Sequence, residues 1–142
     1  MIYLGLIVWL LILSWQDIRR KEISTIVLLV GAAIVLASIG VTIGMKQEGG
    51  IWISKGFGML FGIMLMLLSK TSKGQIGMGD AIVLTVTGVV FGFWNNLCLL
   101  FYSLVLSAVY AVILLLMKKI HKKQSIAFLP FVFIGTLGVI LD

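Results

Sequence analysis

Residues 77–117 read GMGDAIVLTVTGVVFGFWNNLCLLFYSLVLSAVYAVILLLM, and this stretch sets the fold class of the chain. No charged residue occurs from Ala81 to Met117. An α-helix needs about 20 apolar residues to cross the hydrocarbon core of a bilayer. The stretch therefore predicts two consecutive membrane helices, Ala81–Trp94 and Leu97–Met117, with the connection at Asn95-Asn96.

The composition extends this interpretation to the whole chain. Of its 142 residues, 61% are hydrophobic and only 11% are charged. A water-soluble domain cannot bury so much apolar surface, so we expect a polytopic membrane protein forming a single domain, 1–142. The net charge of +6 does not indicate a nucleic-acid partner, because the basic residues form short clusters between apolar runs, as topology signals do.

Six apolar segments predict an all-α protein with six transmembrane helices. The first and fourth segments are short for a span, at about 14 residues or ~21 Å. Each gains length if its helix continues through the neighbouring aspartate, Asp17 or Asp80, although the fourth could also extend at its other end. The segments are Ile2–Trp15, Ile23–Met45, Ile51–Leu68, Ala81–Trp94, Leu97–Met117 and Ile126–Leu141.

Basic residues are concentrated on one predicted side of the membrane. The first, third and fifth connections carry nine of them, whereas the opposite side carries only Lys46 and Lys55. Because cytoplasmic loops are enriched in Lys and Arg, we expect both termini outside. The first segment also lacks a preceding basic region, so we interpret it as a helix and not as a cleaved signal peptide. The nine are Arg19, Arg20, Lys21, Lys70, Lys73, Lys118, Lys119, Lys122 and Lys123.

Alternating segments place Asp17 and Asp80 on one membrane surface, although they are 63 positions apart. Placing a carboxylate at a bilayer edge costs free energy, so its presence there suggests a functional role. Asp80 could instead serve as an N-cap of the fourth helix. A structural role suits Asp17 less well, because negative charge is unfavourable at a helix C-terminus. Glu22 lies close to Arg19 and is better explained by solvent exposure or ion pairing.

Two adjacent carboxyl groups can hydrolyse an amide. One acts as a base that activates water, and the other acts as an acid that protonates the leaving nitrogen. Since two like charges cannot both ionise easily at short range, such a pair shares one proton. Gly77 and Gly79 precede Asp80, and their missing side chains would let an extended substrate backbone approach it.

Glycines four residues apart predict close helix packing in three places: Gly40/Gly44, Gly58/Gly62 and Gly88/Gly92. Trp9 falls in the middle of the first segment, away from the interfacial positions that tryptophan prefers. We therefore expect Trp9 to have a packing role.

Three stretches of the chain resemble the type IV prepilin peptidases, which are membrane aspartic proteases. Asp17, followed after five residues by Ile23, is similar to the first motif of that family. The run Gly77-Met78-Gly79-Asp80 matches its second motif, Gly-X-Gly-Asp. The tail Ile126–Phe131, which follows a lysine-rich connection, is similar to its last-helix segment.

The resemblance implies an endopeptidase of the bacterial cytoplasmic membrane that removes short leader peptides from prepilin or pseudopilin precursors. It implies that Asp17 and Asp80 are the catalytic pair and that cleavage takes place at the cytoplasmic face. It implies no metal or other cofactor.

The chain departs from the family pattern at several points. Ser24-Thr25 stands in place of Pro-Asn after the first motif, and Ala81-Ile82 stands where a lysine often follows the second. The large cytoplasmic domain with cysteine pairs, which accompanies N-methylation in longer members, is absent, since Cys98 is the single cysteine. The resemblance therefore implies a short, peptidase-only form.

Three other interpretations stay open at this point. A presenilin-like or signal-peptide-peptidase-like protease also uses Gly-X-Gly-Asp, but it has tyrosine before its first aspartate, where this chain has Gln16. A small transporter or channel could use the aspartates as proton or cation sites, although transporters commonly show internal repeats and none is visible. In a non-catalytic membrane subunit the two aspartates would be coincidental.

Overall fold

The computed structural model describes residues 1–20, 24–45, 49–73, 77–118 and 126–142. These residues form six α-helices and no strand, which confirms the all-α prediction. The helices are α1 (Ile2–Arg20), α2 (Thr25–Gly44), α3 (Gly49–Thr71), α4 (Met78–Phe91), α5 (Phe93–Leu116) and α6 (Leu129–Leu141).

Four of these helices, α1, α2, α3 and α5, are long and apolar enough to cross a membrane. The other two are apolar but shorter, with 14 residues in α4 and 13 in α6. At 1.5 Å per residue, α4 is ~21 Å long, which is less than the ~30 Å thickness of a hydrocarbon core. Four of the six predicted segments thus form helices with the length and composition of a membrane span.

Helix α4 lies at the centre of the bundle. It packs against α2, α3 and α5, and most extensively against α3. A helix that is apolar on every side is usually buried by its neighbours. Helix α4 is buried in this way. Its buried residues are Ala81, Val83, Leu84, Val86, Thr87, Gly88, Val89 and Val90.

Glycines bring the backbones of α3 and α4 into direct contact. A Cβ atom added to Gly58 would overlap the Gly88 carbonyl group, and one added to Gly62 would overlap Thr85. The predicted packing role of Gly58, Gly62 and Gly88 is therefore confirmed. The prediction for Gly40 and Gly44 is wrong, because a Cβ atom at either would meet nothing within 4 Å.

The break between α4 and α5 is a single residue, Gly92. Its φ of 82° lies in the left-handed region that only glycine adopts without strain. The Phe93 N–H, just after the break, donates to Ser54 Oγ of α3 at 3.2 Å. The predicted connection at Asn95-Asn96 is thus wrong, since both asparagines lie inside α5.

Asn96 has a structural role in the core that its position in the sequence does not reveal. It is buried, and its Nδ2 donates to the Leu84 carbonyl oxygen at 3.1 Å. Its Oδ1 accepts a 2.7 Å hydrogen bond from Thr87 Oγ1. A buried amide is tolerated when its polar atoms are paired, and these bonds tie α5 to α4.

Trp9 joins α1 to α2, which confirms its predicted packing role. Its indole Nε1 donates to the Val27 carbonyl oxygen at 2.6 Å. Its ring occupies the space that a side chain at Gly31 would need. Trp9 is 2% exposed, so ring and hydrogen bond both lie inside the bundle.

We expect Gly58→Ala to lower the midpoint of thermal unfolding in detergent micelles. The new methyl group must displace the Gly88 backbone, and overpacking of this kind costs about 1–3 kcal/mol. Gly56→Ala is the matched control in the same helix, where a Cβ atom meets nothing within 4 Å. Equal unfolding midpoints for the two variants would contradict the proposed backbone contact.

Candidate active site

Asp17 lies in the last turn of α1, because that helix continues through it to Arg20. Its carboxyl group is half-buried, and Oδ2 accepts a 3.2 Å hydrogen bond from the backbone N–H of Leu129. Leu129 is the first residue of α6, where backbone N–H groups have no partner within the helix. An acidic side chain that is unfavourable at the end of its own helix is therefore stabilised by the start of another.

Asp80 is the third residue of α4 and is half-buried. The residue in the N-cap position of this helix is Gly77, with extended backbone angles, and the Ala81 N–H donates to its carbonyl oxygen at 3.2 Å. The alternative interpretation of Asp80 as the N-cap is thus wrong. A carboxylate in the first turn still benefits from the positive end of the helix dipole.

The structure brings Asp17 and Asp80 together at one end of the bundle. Asp17 lies in the last turn of α1, and Asp80 lies in the first turn of α4. At the other ends of these helices the rings of Tyr3 and Phe91 stack, so α1 and α4 run antiparallel and both aspartates lie at one end. The two carboxyl groups are close enough for the negative charge of Asp17 to act on Asp80. The site thus combines the ends of α1, α4 and α6, with each carboxyl group carried by a regular helix.

A cavity of about 500 Å³ opens beside Asp80. Its wall is apolar apart from the Asp80 carboxyl group, the Ser107 hydroxyl group and backbone. Such a cavity accepts an apolar segment and presents one acidic group to it. Its lining comes from α3, α4, α5 and the segment before α6: Leu65, Gly77, Asp80, Ala81, Leu84, Leu100, Leu104, Ser107, Ile126 and Phe128.

Gly77 is in direct contact with Asp80. A Cβ atom at Gly77 would lie 2.8 Å from Asp80 Oδ2, which is closer than real Cβ contacts allow. The missing side chain thus leaves room for the carboxyl group itself, a role that the sequence did not indicate. Gly79 lies between them in the first turn of α4 and is half-buried. Ile23 of the first motif and Glu22 lie outside the described residues.

Ser14 is a polar residue near the site that sequence reasoning missed. It is buried, and within the described part of the chain its Oγ has no hydrogen-bond partner. It precedes Asp17 by three residues, so both lie on the same face of α1. That spacing is the signal that could have identified it.

Among the described residues, those of the site included, no three side chains of His, Cys, Asp or Glu lie together in a group that could hold a metal ion. Cys98 is exposed on α5. The chemistry available at the site is that of two carboxyl groups, a backbone N–H and an apolar wall.

Comparison with protein families identifies the kind of protein to which this site belongs. The model of the type IV leader peptidase family matches residues 4–112, which is most of the chain and includes both aspartates. The chain belongs to this family. The resemblance inferred from the motifs is therefore confirmed, and the chain is a leader-peptidase-type protease. Comparisons with curated proteins and with solved structures gave no match.

In this leader peptidase, the hydrogen bond from Leu129 to Asp17 can be tested with two neutral variants. Asp17→Asn keeps an oxygen acceptor for the N–H, whereas Asp17→Ala removes it. We expect Asp17→Ala to be less stable than Asp17→Asn by about 1 kcal/mol, the usual contribution of a helix-start acceptor. Thermal unfolding in micelles measures the difference, and a more stable Asp17→Ala variant would contradict the capping role.

Proposed function

We propose that this chain is a membrane aspartic endopeptidase that removes short leader peptides from type IV prepilin-like precursors. One observation carries the proposal: in a chain of the leader peptidase family, Asp17 lies within electrostatic range of Asp80, and Asp80 lines an apolar cavity. The proposed location is the bacterial cytoplasmic membrane, with both aspartates at the cytoplasmic face and both termini outside.

The proposed chemistry is general acid–base hydrolysis. One carboxylate takes a proton from a water molecule while the water oxygen attacks the carbonyl carbon of the scissile amide. The other carboxyl group donates its proton to the amide nitrogen as the C–N bond breaks, which releases a carboxylic acid and an amine. Two like charges do not both ionise easily at short range, so a pair of this kind shares one proton, which is the starting state that the reaction needs.

The short length of α4 favours this chemistry. A helix of ~21 Å cannot reach both polar surfaces of a ~30 Å hydrocarbon core unless the bilayer thins around it. We place Asp80, in its first turn, below the level of the headgroups. In such a partly dry setting electrostatic interactions are stronger than in bulk water, so the carboxyl pair shares a proton more effectively.

The cavity suggests how the substrate is held. Its apolar wall, formed by residues such as Leu84, Leu100 and Leu104, suits the hydrophobic helix of a precursor. The leader that precedes this helix would then extend past Asp80. Gly77, which has no side chain, lines the cavity and permits an extended backbone to approach the carboxyl group.

We expect Asp17→Asn and Asp80→Asn each to reduce leader cleavage by at least ~100-fold, because each removes one of the two proton-transfer groups. The assay reconstitutes the purified chain in liposomes with a precursor that carries a short basic leader before an apolar helix. Asp142→Asn is the matched control, since Asp142 lies at the other end of the bundle and lines a separate cavity.

Either outcome of that assay is informative. Full cleavage by Asp17→Asn or Asp80→Asn, with the variant correctly inserted, would reject the catalytic pair. Proton or cation flux through the wild-type liposomes without any cleavage would favour a transporter or channel.

We expect Gly77→Ala to reduce cleavage about 10–100-fold while the unfolding midpoint stays near that of the wild type. The methyl group would push the end of the short Asp80 side chain out of place, and a displacement near 1 Å at a catalytic group can cost ~100-fold in rate. Gly49→Ala, at the open start of α3, is the control. Wild-type cleavage by Gly77→Ala would show that the Asp80 position is not critical.

A further inference from the structure

A second cavity, of about 570 Å³, lies at the end of the bundle opposite Asp17 and Asp80. It is formed by the start of α1, the end of α2, the start of α3 and the end of α4. Most of its wall is apolar, with Val41, Ile51 and Val90 among the contributors. The polar side chains that line it are Tyr3, Ser38, Thr42 and Lys55.

The ammonium group of Lys55 is held in place by a chain of hydrogen bonds. Its Nζ donates to Thr42 Oγ1 at 2.5 Å. Thr42 Oγ1 in turn donates to the Ser38 carbonyl oxygen at 2.8 Å, and Ser38 Oγ donates to the Val35 carbonyl oxygen at 2.8 Å. Each hydroxyl hydrogen is used within α2, so Thr42 acts toward Lys55 only as an acceptor. Among the described residues, the other two of the three ammonium N–H groups have no acceptor, so they can bind a ligand.

The charge of Lys55 has no partner of opposite sign in the described ranges. Lys55 lies six positions after the start of α3, or ~9 Å along the helix axis, in a helix apolar enough to cross a membrane. Asp17 and Asp80 are at the other end of the bundle, and Asp142 lines a different cavity against α5. A cation at this depth is stabilised by an anion that accepts its free N–H groups.

We infer that this cavity binds an anionic phospholipid, with the phosphate on Lys55 and the upper acyl chain along the apolar wall. The phosphate supplies the charge and the acceptor oxygens that the ammonium group lacks. A lipid is a better occupant than free phosphate, because the wall offers a large apolar surface and few polar groups. This site is separate from the aspartate pair and does not depend on the proposed peptidase function.

Native mass spectrometry of the purified chain in detergent tests the inference. The chain is titrated with phosphatidylglycerol and, in parallel, with phosphatidylcholine of the same acyl chains. We expect the wild type to retain phosphatidylglycerol at least tenfold more tightly, and Lys55→Met to lose this preference. Lys55→Arg keeps the charge and should keep the preference, which separates loss of binding from misfolding.

The matched control is Lys70→Met, because Lys70 is an exposed lysine in the last turn of α3, at the aspartate end. It should bind phosphatidylglycerol like the wild type. Equal binding of the two lipids, or unchanged selectivity in Lys55→Met, would overturn the inference. Displacement of the lipid by millimolar inorganic phosphate would also overturn it, since the site would then recognise free phosphate. Binding needs no leader cleavage, so this test is independent of the peptidase assay.

Discussion

The backbone contact between α3 and α4 is the constraint on which the rest of the structure depends. With no side chain at Gly58 or Gly88, the two helices approach until carbonyl groups and Cα atoms touch. In lipid, where apolar side chains gain little by leaving the solvent, such close van der Waals packing is a main source of helix association. The contact holds α4 in the centre of the bundle and so determines where Asp80, in its first turn, is placed.

The candidate active site pairs two groups, each of which would destabilise its own helix end without a partner. Asp17 is acidic at a helix C-terminus, and Leu129 begins a helix with backbone N–H groups that lack partners. The hydrogen bond between them gives the Asp17 carboxyl group a donor and the Leu129 N–H an acceptor, and it connects α1 to α6. Gly77 leaves the space in which the Asp80 carboxyl group lies. The proposed catalytic pair and the stability of two helix ends thus depend on the same few atoms.

Helix α4 links two chemically opposite ends of the molecule. Its N-terminal turn contributes an acidic group to one cavity, and its C-terminal turn lines another cavity that contains a lysine. The helix is short, buried and rigidly held by α3, and its far end is locked by the Gly92 turn and the Ser54 hydrogen bond. A substrate site and a lipid site could therefore coexist on one small bundle without sharing a side chain.

Composition and segment order alone determined that this chain is all-helical, that most of its helices are apolar enough for a membrane, and that Asp17 and Asp80 belong to one end. These properties follow from local hydrophobicity and from the alternation of helix direction, and both can be read from the order of residues in the sequence. Only the tertiary structure decided that the chain breaks at Gly92, that Asn96 is buried in the core, and that Leu129 supports Asp17. Those features depend on contacts between helices remote in sequence, and local patterns carry no information about which partner a polar atom will meet.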